Sequence, residues 1–150
     1  MHRHAAETFS VKVPDSFTER TGAQEIEGGV EKRTYNGEGD TNLIAIRVTS
    51  SPTMSSGVAE QALKLAKEVA ASTGGSFKKL AEGESSMAVP GSHEVRFSFT
   101  SATGVLSRGV LAYGRVRGRD YRLEILYAAA DAAQVEPTLV EAVFESFKSA

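Results

Sequence analysis

The chain has 150 residues, with 17 Lys and Arg against 19 Asp and Glu, three His, and no Cys or Trp. That length suits one domain able to bury about 70% of its unfolded surface without covalent staples. Absent cysteine excludes disulfides, thiolate metal sites and thiol nucleophiles, and the near-neutral balance argues against nucleic acid, whose binders carry a basic surplus.

In chain order, residues 1–8 carry no apolar run and read as a flexible lead-in to a single domain over 9–150. No stretch of about 18 apolar residues reads as a membrane span. Taken as complete, such a chain is expected in the cytoplasm; one trimmed of a signal peptide would look the same and work outside it. Phe9 to Val13 alternates apolar and polar residues and predicts a strand ended by Pro14. Glu31 to Tyr35 and Leu43 to Thr49 predict two more, with Asn36-Gly37 as the hairpin signal between them. Ile44, Ile46 and Val48 share one face of the second. Thr49 to Gly57 has the composition of a loop.

A helix is predicted over about residues 58–72, where Val58, Ala62, Leu65 and Val69 form one stripe. Ser55 or Ser56 is positioned to cap its start, and Gly74-Gly75 to turn its exit. Strands follow at about 78–84, 93–100, 106–115 and 121–128, with Gly118 in the tight turn between the last two. In the final strand Tyr121, Leu123, Ile125 and Tyr127 lie on one face and Arg122 and Glu124 on the other. A closing helix is predicted over about 137–148, begun by Pro137 and buried through Val140, Val143, Phe144 and Phe147. Hairpin-linked strands with helices inserted mid-chain and at the end describe an α+β domain, a curved antiparallel sheet of about six to seven strands flanked by helices.

No catalytic spacing stands out. His2 and His4 are too few for a metal site, which needs three or four converging ligands. His93 opens a strand without a recognisable nucleophile motif. The segment from Asn36 to Asn42 places oxygen side chains at alternate positions, but a calcium loop requires glutamate where Arg47 stands. Carboxylate pairs such as Glu25 and Glu27, or Glu82 and Glu84, read as solvated charge. Neither catalysis, a cofactor nor a metal is expected. Arg115, Arg117, Arg119 and Arg122 cluster around the last hairpin, with Arg96 and Arg108 on earlier strands. Asp120 and Glu124 are interleaved with them, which fits a protein contact better than a phosphate field.

Several signposts then read together: Phe9 to Pro14 followed by Phe17, the helix before Gly75-Ser76-Phe77, the meander ending in Gly118 to Leu123, and the closing Val143-Phe144-Glu145-Ser146-Phe147. In this order the chain resembles the PsbP-like family, the fold group of the photosystem II extrinsic protein, a Ran-binding nuclear import factor and bacterial effector chaperones of type VI secretion. Phe17 stands where relatives often carry tryptophan, and no photosystem-specific metal or docking motif is present. The resemblance implies an α/β/α sandwich that works by binding partners rather than by catalysis. On that basis Arg96, Ser98, Arg108, Arg122 and Glu124 are expected to share a sheet face uncovered by helices. A client protein or complex subunit would bind there, with the chain itself a homodimer. A small-ligand or sensor domain with a pocket between sheet and helix is the alternative.

Overall fold

The computed structural model describes residues 1–20 and 26–150; Glu25 and the side chain of Glu27 lie outside what it describes. In chain order the strands are β1 (His2–Ala5), β2 (Phe9–Val13), β3 (Thr18–Glu19), β4 (Ile26–Glu27), β5 (Val30–Glu38) and β6 (Leu43–Pro52). Helix α1 (Val58–Thr73) leads to β7 (Lys78–Glu84), β8 (His93–Thr100), β9 (Leu106–Val116) and β10 (Arg119–Ala128). Helices α2 (Ala132–Val135) and α3 (Leu139–Ser146) and strand β11 (Lys148–Ser149) close the chain. No described helix is long and apolar enough to cross a membrane.

The main sheet has the order β3-β5-β6-β10-β9-β8-β7, with β4 also beside β5, and every pairing among the described residues is antiparallel. Helix α1 carries the chain from central β6 to the far edge at β7, and the meander β7 to β10 returns to lie against β6. The architecture is therefore α+β, as the alternation and the inserted helices imply. The β9–β10 turn is closed by Arg117 and Gly118, both at positive φ (53° and 75°). Two left-handed residues give the hairpin twist that matches the strands.

Two layers cover this sheet, and they are offset. On one side α1 packs over β8 and β9, seating Ala62, Ala66, Val69 and Ala70 against Val95, Phe97, Phe99, Leu111 and Tyr113. On the other side a small sheet of order β1-β2-β11, with α2 and α3, covers the β5-β6-β10 half. Phe9, Val11, Val13, Val140, Val143, Phe144 and Phe147 meet Tyr35, Ile44, Ile46, Val48, Leu123 and Ile125 there.

Four local expectations change. Residues 1–8 are not a free lead-in: His2 to Ala5 pair with Val13 to Ser10 as β1, and Arg3 reaches Ser10 at 2.8 Å. Asn36-Gly37 is not the hairpin turn, because β5 continues to Glu38 and the chain reverses over residues 39–42. There the Asp131 carboxylate accepts the N–H groups of Thr41 (2.9 Å) and Asn42 (3.2 Å). Gly37 serves a different need, since a Cβ there would lie 2.1 Å from the Phe17 ring. Gly57, not a serine, occupies the N-cap of α1 without a side-chain cap; the Ser56 hydroxyl instead meets Gln61 Oε1 at 2.8 Å. The closing helix is shorter than expected: it begins at Leu139, past Pro137, and ends at Ser146, after which Lys148 and Ser149 pair with β2.

Candidate functional site

Register decides which polar residues meet. Across the sheet Arg96 pairs with Val110, and Val110 with Ile125. Directly paired residues share a face, so Arg96, Ser98 and Arg108 lie on the side of Ile125 and Tyr127. Arg122 and Glu124 lie on the opposite side, with α1. The five expected partner-binding residues are thus divided between two faces, each on the half its covering layer leaves open among the described residues.

On the α2 side, Arg108 donates to both Glu136 oxygens (3.2 and 2.9 Å), and the Tyr127 hydroxyl donates to Glu136 at 2.6 Å. Burial opposes ionisation of Glu136, but these two donors outweigh it and hold its carboxyl below the usual glutamate value. Arg96 is occupied by Glu94 at 2.7 Å. Ser98 is half-buried beside them. A cleft of about 170 Å³ lies between Arg96, Arg108, Tyr127 and Leu80. Every arginine of this half is paired with a carboxylate.

The α1 side is built differently. Three cross-strand rows run along this face and pass under the helix at their β9 ends: Lys32–Thr49–Arg122–Tyr113, then Thr34–Arg47–Glu124–Leu111, then Asn36–Ala45–Leu126–Gly109. Glu124 is only 1% exposed, and the two arginines share it: Arg47 Nε is 2.9 Å and Arg122 Nη2 is 3.9 Å from Oε1. None of these contacts is aligned as a hydrogen bond. Both Glu124 oxygens and the Nε atoms of Arg47 and Arg122 are buried without a hydrogen-bond partner in the protein. Two guanidinium groups against one carboxylate leave a positive surplus, and exposed Lys32 in the neighbouring row adds to it.

Above this cluster a fixed corner sets one end of a groove. The Arg115 Nε donates to Asp120 Oδ1 at 2.7 Å, its Nη2 to the Met54 and Ser56 carbonyls at 3.1 and 2.8 Å, and the Tyr113 hydroxyl donates to Asp120. Met54 N–H completes the set at 3.2 Å. Burial raises the Asp120 pKa, but the Arg115, Tyr113 and Met54 donors prevail and lower it below the usual aspartate value. Burial and the Asp120 hydrogen bond push the Tyr113 phenol up. The corner ties the segment before α1 to the β9–β10 hairpin. It frames a cleft of about 160 Å³ between Thr49, Met54, Leu65 and Arg122. A second cleft of about 280 Å³ opens at the other end of the same flank, between Leu43, Ala45, Thr73 and Leu126.

Of the remaining arginines, Arg119 is absorbed into structure, donating to Ser50 Oγ at 2.5 Å and to the Gly29 carbonyl, whereas Arg117 is exposed at the hairpin tip. His93 lies 3.0 Å from Glu82, but no serine or threonine hydroxyl contacts this pair among the described residues, and it lines none of the clefts above. Lys79 and His93 hydrogen bonds lower the Glu82 pKa in turn. No group of three metal-ligating side chains occurs among the described residues. Sequence reasoning missed Arg47, Lys32 and Met54. Arg47 was visible as a charge between Ile46 and Val48, but its pairing with Glu124 depends on the β6–β10 register.

No family model matches the chain, and no curated protein matches it significantly by sequence. Solved structures do match, and they define the class: the chain has the PsbP-like fold. The cyanobacterial PsbP (CyanoP) of Synechocystis sp. PCC 6803 aligns with TM-score 0.66 and 13% identity over 99% of this chain and 92% of that one. A point mutant of the protein Mog1 aligns with TM-score 0.63 and 12% identity, covering 99% of this chain and 96% of its own. LpqN of Mycobacterium tuberculosis, described as involved in cell envelope biogenesis, aligns with TM-score 0.61 and 11% identity over 97% and 87%.

Proposed function

We propose that this protein is a non-catalytic protein-binding domain, acting as an adaptor, chaperone or assembly factor, with a secretion-effector chaperone as the most specific form of that role. The observation that carries the reading is the open β5-β6-β10 half on the α1 side, where two partly exposed arginines held against one buried carboxylate lie beside a helix. Antiparallel sheets tolerate one solvated face, but a solvated face is ordinarily tiled with short polar residues, not with a buried carboxylate between two arginines. Elsewhere among the described residues carboxylates of the main sheet and its flank are engaged by aligned donors: Asp120 by Arg115 and Tyr113, and Glu136 by Arg108 and Tyr127. The clefts beside α1, about 160 and 280 Å³, fall under the roughly 300–1,000 Å³ of small-molecule pockets, which on this flank favours a protein partner over a small ligand. Pull-down from native lysate with the full chain as bait tests the proposal. Recovery of one protein in near-equimolar amount supports it, and repeated recovery of none overturns it.

A further inference from the structure

The groove beside α1 has two apolar ends and a cationic middle. At one end Met54, 45% exposed, sits with Leu65; at the other Leu43, 65% exposed, sits with Ala45 and Leu126. Between them lie Lys32, Arg47 and Arg122 against the single carboxylate of Glu124. Ser51 and Leu43 mark the ends on β6, so the groove spans about 26 Å at the usual strand rise, room for about eight extended or seventeen helical residues.

From this arrangement we infer that the groove receives a partner segment carrying a carboxylate at its centre and apolar side chains towards both ends. The inference rests on the protein-binding reading and narrows it to one face and one chemistry. Charge selects the occupant. Two arginines divided over one glutamate are short of one carboxylate, and a guest Asp or Glu completes the cluster as two cations with two anions. Arginine presents a planar fork matched to that group. The Arg47 and Arg122 side chains are 36% and 23% exposed, so part of each guanidinium opens to the groove, where a guest carboxylate can meet it. Glu124 holds the two guanidinium groups in place between visits, and Thr49 Oγ1 lies 3.5 Å from Arg122 Nη2 as a further restraint. A basic guest would meet Lys32 and both arginines, and a wholly apolar one would strand three charges; like-charge juxtaposition and stranded polar groups both penalise binding. The α2-side half offers no such surplus, because Arg96 and Arg108 each already hold a carboxylate.

The experiment selects a phage-displayed library of random peptides, about 16 residues long to fill the helical span of the groove, against the immobilised full chain. Enriched peptides are then titrated into isotope-labelled protein and followed by NMR. Expected are peptides with central Asp or Glu flanked by Leu, Ile, Met or Phe, and amide shifts at Thr49, Leu65, Arg122 and Leu126. Lys32→Glu, an exposed substitution that leaves the fold intact, should weaken these peptides about tenfold, as for a charge reversal at an electrostatically steered site. Enrichment of basic or wholly apolar peptides overturns the inference. So do shifts confined to the Arg96, Ser98 and Arg108 half, indifference to Lys32→Glu, or no enrichment over uncoated beads. If it is overturned while the bait still recovers an equimolar partner from lysate, the protein-binding reading stands and only the groove assignment falls; if both fail, both fall.

Discussion

Replacing Gly37 by Ala separates two explanations of that glycine. If Asn36-Gly37 were a hairpin turn, alanine would be penalised for backbone conformation. The structure instead puts Gly37 inside β5, and its φ is not among the positive values. The conflict is volume: an added Cβ falls 2.1 Å from Phe17 Cε1 and 2.2 Å from Cδ1. Phe17 is 8% exposed and packed in the larger core, so the ring must leave or the strand must shift. Overpacking costs about 1–3 kcal/mol. Expelling the ring would sacrifice about 1.5–3 kcal/mol of burial, so about 1–3 kcal/mol bounds the loss either way. For a chain this size each kcal/mol shifts Tm by about 2–4 °C, giving a drop of about 2–12 °C. Phe17→Ala alone should cost about 3–5 kcal/mol. In the double variant the added methyl enters the space the ring vacated, so it should be no less stable than Phe17→Ala. The cycle then shows coupling of about 1–3 kcal/mol, beyond the roughly 0.5 kcal/mol scatter of independent sites. Urea denaturation followed by circular dichroism measures all four corners. Additive effects would refute the steric account and restore a backbone origin for the glycine.

Acid should unfold the protein through Glu31, Asp120 and Glu136, whose carboxyls burial raises but whose hydrogen-bond donors lower further, to below 4.5, 3.8 and 4.5 respectively. Depressed folded-state values contribute stability that is complete above the unfolded values and lost as pH falls through the lowered ones. Urea midpoints should therefore drop steeply below about pH 4.5, and less steeply in Asp120→Asn; an unchanged wild-type midpoint at about pH 3 contradicts this. At the alkaline end, burial pushes Tyr35 up to about 12 and raises Tyr113, Tyr121 and Tyr127 as well. The unfolded chain ionises its tyrosines near pH 10 and so gains stability relative to the fold above it. Ultraviolet titration should show tyrosinate only as the chain unfolds, and a reversible native step near 10 would count against those buried hydroxyls. Gly109→Ala places a Cβ 2.4 Å from the Phe97 ring and 2.9 Å from Leu126. It should lower Tm through about 1–3 kcal/mol of overpacking, and a neutral effect would contradict close packing of Phe97 and Leu126 over Gly109.

Periodicity made most elements legible. Alternation in β6, β8 and β10 and the 3.6-residue stripe of α1 appear directly in the residues, and the structure places them within a few positions of expectation. What the sequence left hidden depends on contacts between distant segments. His2 to Ala5 have no apolar alternation of their own and become a strand only by pairing with β2. Asn36-Gly37 carries strong local turn chemistry, overridden by Phe17 approaching from nineteen or twenty positions earlier and by Asp131 capping the real turn. The closing helix ends where Ser146 Oγ accepts the Lys12 N–H at 2.8 Å and Phe147 turns extended to bury its ring. The split of the expected site has the same origin. Alternation within one strand says which residues share a face of that strand, but only the register between strands says whether Arg96 and Glu124 point the same way.

The geometry of cover explains why this sheet keeps an open half at all. A helix with its side chains is about 10 Å wide and strands lie about 4.8 Å apart, so one helix covers about two strands. The path of seven strands therefore cannot be roofed by α1, whose alanines already draw it close over β8 and β9. Solvent alone would be content with threonine and lysine on the uncovered strands. A carboxylate 1% exposed, with neither oxygen in an aligned hydrogen bond, is a costly choice there, since burying charge is repaid only by well-aligned partners. Replacing Glu124 by Gln tests whether stability or recognition keeps it. Removing the anion frees Arg47 and Arg122, which at 36% and 23% side-chain exposure can turn to water, so the fold should lose little. Binding of a carboxylate-centred segment should respond more strongly, through the loss of the group that orients both guanidiniums. A large drop in Tm with unaltered binding would instead assign Glu124 to the fold.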